Sequence, residues 1–128
     1  MELKRTVPVS RERVVLVGAL PHDAHDVEDE MEELANLAKS AGALVTGQMF
    51  QRLHAPTAAT YLGAGKLDEL RQLCAELRAH TVIFNVDLTP AQVRNIEKAI
   101  DRKVIDRSEL ILDIFAARAR STEARLEV

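Results

Sequence analysis

Hydrophobic positions along the chain switch repeatedly between two spacings. Arg13 to Ala19 is a β-branched apolar run that predicts a strand buried on both faces, and Pro21, His22 and Asp23 break it. From Asp26 to Ala41, residues Val27, Met31, Leu34, Leu37 or Ala38, and Ala41 recur at helical spacing, with Gly42 placed as the C-terminal stop. A second strand is expected from Ala43 to about Arg52, then a loop from His54 to Gly65 that holds Pro56 and two glycines. Leu67, Leu70, Leu73, Cys74 and Leu77 define a second helix, and Thr81 to Val86 a third strand. Thr89-Pro90 marks a helix start, a capping hydroxyl followed by proline where a missing N–H costs nothing; Val93, Ile96 and Ile100 give that helix its buried side. Lys103 to Asp106 makes a short fourth strand. Ser108 is the expected cap of a last helix on which Leu110, Ile111, Ile114, Phe115 and Ala119 share a stripe.

The order βαβαβαβα with short connections specifies an α/β fold, a four-stranded mostly parallel sheet covered on both faces. Right-handed crossovers favour strand order 2-1-3-4, with the first and last helices on one face and the second and third on the other. The switch point then lies between the first and third strands. Loops Leu20 to His25 and Asn85 to Pro90 would flank the crevice where open α/β sheets bind ligands, which brings forward His22, Asp23 and Asp87. Residues 1–12 read as a lead-in and 13–120 as the domain. Residues 121–128 carry no stop signal, so the chain reads as cut in mid-pattern, at the start of a connection to something further.

Composition narrows the function. Aromatic residues are 3% of the chain and Trp is absent, so Leu, Val, Ile and Ala must fill the core, as suits helices on a parallel sheet. A formal charge of −3 argues against a nucleic-acid binder that works simply by being basic. The charge is uneven, however: residues 1–40 hold five Lys or Arg against nine Asp or Glu, while residues 81–128 hold eight of each. Cys74 is the only cysteine, which excludes an intramolecular disulfide and thiolate clusters, and its place beside Leu70, Leu73 and Leu77 reads as a small buried hydrophobe. No signal peptide or membrane-spanning run is legible, so the cytosol is the default location.

Candidate chemistry is sparse. Gly63-Ala64-Gly65-Lys66 lacks the first glycine and the hydroxyl of a Walker A loop, and Asp68 stands where a dinucleotide fingerprint needs its third glycine. What remains is a loop at a helix N-terminus whose backbone N–H groups and Lys66 suit a phosphate; a tight glycine turn into the helix explains the residues as well. His22, Asp23, His25 and Asp26 have no third strong ligand at a defined spacing, and acids in a first helical turn suit the helix dipole, so no metal is expected. Arg94, Lys98, Arg102, Lys103, Arg107, Arg118, Arg120 and Arg125 are candidates for an RNA-facing surface, although acidic neighbours from Glu97 to Glu123 can neutralise them. No nucleophile, base and acid constellation is visible, so catalysis by this chain alone is not expected.

Three ordered segments add a resemblance. Tyr61-Leu62-Gly63-Ala64-Gly65-Lys66-Leu67-Asp68-Glu69-Leu70, Leu88-Thr89-Pro90-Ala91-Gln92-Val93-Arg94-Asn95-Ile96-Glu97 and the stretch from Asp106-Arg107 through Ile111 to Ala119 are similar to segments of the N-terminal part of the HflX family of translation-associated GTPases. Ala117 and Glu127 depart from the family's usual glutamines. The resemblance implies a domain that contacts the large ribosomal subunit and its RNA, and the G domain of the same protein, in ribosome splitting or rescue under stress. It implies no cofactor in this chain, GTP and Mg in the G domain, and no membrane or DNA partner. Gly63, Gly65, Lys66, Arg94, Asn95, Arg107, Arg118 and Arg120 are the residues it puts forward as RNA- or domain-contacting. Two other readings stay open: a small nucleotide in the switch-point crevice, or a structural module docking through Leu110 to Phe115.

Overall fold

The computed structural model describes residues 8–126, with side chains described through Arg120. The lead-in before Pro8, the side chain of Arg125 and the last two residues of the expected connection lie outside the described residues. Strands β1 (Arg13–Pro21), β2 (Leu44–Leu53), β3 (Thr81–Phe84) and β4 (Lys103–Ile105) alternate with helices α1 (Val27–Ser40), α2 (Ala64–Leu77), α3 (Pro90–Ile100) and α4 (Arg107–Leu126). The sheet runs β2-β1-β3-β4 and every pairing is parallel, so the expected order holds and "mostly" parallel becomes wholly parallel. The last helix continues through the start of the expected connection, to Leu126.

Side chains alternate across β1, so the central strand feeds two cores. Val15, Val17 and Ala19 pack with Leu70 and Cys74 of α2 and Ile96 and Ile100 of α3; Val14 and Leu16 pack with Met31 and Leu34 of α1 and Leu110 of α4. Two helices therefore cover each face in the expected pairs. Burial pushes the Cys74 thiol up, against a smaller opposing effect of the Arg102 charge, as befits a core side chain.

Ends of elements differ from the periodic reading for local reasons. The third strand ends at Phe84, and Asn85 carries the pairing on, its backbone N–H donating to Val17 C=O at 3.1 Å, its Oδ1 accepting from Ala19 N–H at 2.7 Å and its Nδ2 donating to Ala19 C=O at 3.1 Å. The amide stands in for a peptide group and lengthens the β1–β3 ladder from the side. Asp106, expected in the fourth strand, is the cap of α4 in place of Ser108. Its Oδ1 accepts from Glu109 N–H at 3.0 Å and its Oδ2 from Leu88 N–H at 3.0 Å, while the Ser108 hydroxyl donates to Asp87 at 2.6 Å. Helix α1 ends as expected, with Gly42 at φ +85°.

The segment before β1 is tied across the sheet's N-terminal end. Glu12 accepts from the Thr81 hydroxyl at 2.7 Å and pairs with Lys103 at 2.7 Å, and Lys103 also donates to Pro8 C=O at 2.9 Å. Partial burial acts to raise the Glu12 carboxyl pKa, but hydrogen bonds from Lys103 and Thr81, with the charges of Lys103 and His80, hold it below the ordinary range. A carboxyl lowered in the folded state stabilises above its unfolded pKa, and that stability is lost as pH falls through the folded value. Urea midpoints should therefore drop more between neutral pH and about pH 3 in the parent chain than in Glu12→Gln. Equal drops would show that Glu12 contributes nothing to the acid response.

Candidate functional site

All four helices start at the C-terminal end of the parallel sheet, as the connections require, so their N-termini cluster there. The switch point is bridged by a side chain. Asn85 bonds Ala19 twice and donates to Glu30 of α1 at 3.0 Å, spanning the gap between β1 and β3. Beside that bridge a concavity of about 460 Å³ opens over the ends of β1 and β2, lined by Leu20, His22, Leu53, His54, Pro56 and Tyr61 among others and by Val86 of the loop after β3. His22 and Asp23 line this concavity. Asp87 does not line it, because it is held by the Ser108 hydroxyl. The imidazoles of His22 and His54 stack with centroids 4.1 Å apart, a contact between residues distant in sequence. Among the described residues, no three His, Cys, Asp or Glu side chains are placed to hold a metal ion.

The loop between β2 and α2 is a built object. Thr57 and Tyr61 exchange backbone hydrogen bonds at 3.1 and 3.0 Å, and the Thr60 hydroxyl donates to Leu62 C=O at 2.8 Å. Helix α3 clamps the loop from outside: Asn95 Nδ2 donates to Ala59 C=O at 2.9 Å and Gln92 Nε2 to Thr57 C=O at 3.3 Å. Gln92 also closes the α3 capping box, accepting from Thr89 N–H at 2.9 Å while its own N–H donates to the Thr89 hydroxyl at 3.1 Å. Sequence reasoning valued Asn95 as a contact residue and gave Gln92 no role. The hydroxyl-x-x-glutamine spacing from Thr89 was the signal that could have found it.

The conformational demand in this loop falls on Tyr61, at φ +63°, and not on the glycines after it. Gly63 is the extended N-cap of α2 and makes no side-chain cap, while Gly65 lies inside the first helical turn, where a loop residue was expected. A Cβ at Gly18 would lie 2.4 Å from Met31 Sδ and one at Gly47 2.5 Å from Leu77 Cδ1, so packing explains those glycines. At Gly65 an added Cβ would meet nothing within 4 Å. The fold gives no internal reason for a residue that costs a helix about 1 kcal/mol relative to alanine. With no cap side chain, the N–H groups of Ala64, Gly65 and Lys66 lack intrahelical partners and face outward beside Lys66, which pairs with Glu69 at 3.2 Å.

The cationic candidates separate into groups. Arg94 and Lys98 lie one turn apart on α3 beside the clamped loop, both exposed and without an ion-pair partner among the described residues. Arg102 donates to Ala79 C=O and Lys103 is held by Glu12, so both serve the fold. Arg107 lies on the other face of the sheet and pairs with Glu33 at 2.6 Å. Arg118 and Arg120 are exposed on α4, about 16 to 20 Å along the helix from Arg107. The eight expected contact residues thus do not form one patch. Gly63, Gly65 and Lys66 start α2, and Arg94 and Asn95 lie on α3, the helix that clamps the loop leading to it, whereas Arg107, Arg118 and Arg120 lie on α4 against the other face.

A family model described as GTP-binding GTPase N-terminal matches residues 28–116. Similar proteins include the GTPase HflX of Lacrimispora saccharolytica, 41% identical over 117 residues, covering 91% of this chain and 28% of that protein. The GTPase HflX of Caldanaerobacter subterraneus subsp. tengcongensis is 43% identical over 120 residues, covering 92% and 27%. The chain thus spans between a quarter and a third of the length of these curated relatives. Among solved structures, the crystal structure of SsGBP with GDP superposes with a TM-score of 0.64 at 23% identity, over 83% of this chain and 29% of that one, a likeness of fold.

Proposed function

This chain belongs to the GTP-binding GTPase N-terminal family, the domain that HflX GTPases carry, and from that premise we propose that it is a ribosomal-RNA-contacting domain. Its partner is the large ribosomal subunit, in the service of ribosome splitting or rescue by a GTPase whose GTP and Mg are held in a separate G domain. The chain itself supplies placement and not turnover. One observation carries the reading: Gly65, without internal purpose, leaves open space over the uncapped start of α2. A phosphate oxygen approaching there meets free N–H groups, Lys66 and, across the clamped loop, Arg94. The Lys66–Glu69 pair is a surface contact worth at most about 1 kcal/mol, which a phosphate can displace.

The test is binding of the chain to purified large subunits across a salt series. Log affinity should fall linearly with log salt, and Lys66→Ala or Arg94→Ala should each lower the slope by about one phosphate. Gly65→Ala separates function from fold, because it should raise helix stability by up to about 1 kcal/mol while weakening binding about tenfold. Affinity indifferent to salt and to all three changes rejects the reading.

The exposed apolar side of α4 supports a second contact within the same protein. Leu112 is 55% and Phe115 60% exposed, one turn apart, and this stripe is where the G domain or its connection packs. The chain alone should then bind a hydrophobic dye or self-associate, and Phe115→Lys should abolish either behaviour; a clean, dye-silent monomer in light scattering counts against it.

A further inference from the structure

We propose that the outer edge of β2 is a docking site for an extended, basic segment of a partner protein, added to the sheet as a fifth strand. Strand β2 is ten residues long and, among the described residues, has β1 on one side and nothing on the other, whereas the opposite edge, β4, has three residues. Every second residue of β2 therefore turns its backbone N–H and C=O away from the sheet. Edges are ordinarily blunted by charge, proline or bulges, and β2 has few such devices. Arg52 is its only charged residue, proline is absent, and its one bulge, at Thr46, lies near the start of the strand. From Gly47 to Leu53 the pairing is regular, a straight edge of about 23 Å.

The flank of that edge says what kind of chain fits. Helix α1 leaves the near face of β2 partly uncovered, and Phe50 is 45% exposed there. Two adjoining grooves of about 430 and 390 Å³ run between α1 and β2, sharing Val27, Glu28 and Phe50. Their floor is apolar and their rim acidic: Glu28, Asp29 and Glu32 are exposed, with no salt-bridge partner among the described residues. Arg52 at the end of the same groove is exposed and donates to the Ala24 carbonyl, so the three α1 carboxylates remain in excess. An added strand turns one alternate set of side chains to this face, where lysine or arginine lays its stem on Phe50 and its charge on the α1 rim, and the other set, apolar, to the opposite face beside Met49 and Leu53. A second copy does not. Antiparallel self-pairing about a two-fold axis normal to the sheet would bring two α1 acidic rims together on one face.

A peptide of alternating lysine and valine, with its glutamate-for-lysine counterpart as control, tests the proposal against the 128-residue chain. Amide exchange followed by NMR should show outward-facing amides of Gly47 to Leu53 protected by the lysine peptide and not by the glutamate peptide. Glu28→Lys with Glu32→Lys should weaken binding about tenfold, and the gentler Glu28→Gln with Glu32→Gln should weaken it less but measurably. Equal protection by both peptides, protection located elsewhere, or dimerisation through β2 without peptide would overturn it.

Discussion

Replacing Asn85 with alanine should lower unfolding stability by about 3 kcal/mol, a large share of the margin of a domain this size. Its side chain is 95% buried and satisfies both backbone groups of Ala19 on the side where β3 has ended. Alanine leaves a buried N–H and a buried C=O unpaired, and each orphaned group costs about 1 to 3 kcal/mol. The Glu30 carboxylate also loses its donor, a smaller effect because that end of the network is only partly buried. In urea the midpoint should fall with an unchanged slope, since the surface exposed on unfolding stays the same. A loss below about 1 kcal/mol would mean that water enters the switch point and replaces the amide.

Asp106→Ala should cost a similar amount for a different reason. One oxygen caps α4 through Glu109 N–H, and the other accepts from the buried N–H of Leu88, two residues before the start of α3. Loss of a cap costs about 1 kcal/mol and an unpaired buried donor about 1 to 3 more. The decisive comparison is Asp106→Asn. Both carboxylate oxygens accept, and an amide offers only one acceptor, so asparagine should recover about half the loss. Full recovery would show that one of the two bonds is dispensable. Because Asp106 joins the starts of α3 and α4, hydrogen exchange in the first turns of both helices should quicken together in the alanine variant.

Asn85 and Asp106 also mark where the sequence stops being legible. Layering, strand order and the assignment of helices to faces accord with apolar periodicity and crossover handedness, because burial on both faces of β1 calls for an inner strand with helices on either side. A polar residue at the end of an apolar run reads as more strand, since periodicity records where a side chain is buried and not what it bonds. Asn85 and Asp106 are buried as strand residues would be, but their work is done by side-chain atoms. Ser108, a good cap by composition, lost that role to a carboxylate two residues earlier that reaches two donors at once.

The site was legible in parts. That glycines and Lys66 stand at a helix start was readable, and so was the place of Arg94 on the third helix. Position 61 was not, because tyrosine rarely takes positive φ and two glycines nearby offered an easier explanation. The grouping of cations was illegible for another reason. Arg94 and Arg107 are 13 positions apart in sequence, yet they lie on helices packed against opposite faces of the sheet.

Helix α4 is anchored over little of its length. Leu110, Asp113 and Ile114 are buried, and Asp113 accepts from Val9 N–H at 3.4 Å, but every described side chain from Ala117 to Arg120 is exposed while the helix runs on to Leu126. A rod of about 30 Å fixed near its root behaves as a pointer: a tilt of about 5° where Asp106 grips it sweeps the far tip by about 2.6 Å. A change of angle at Asp106 is thereby magnified along the rod.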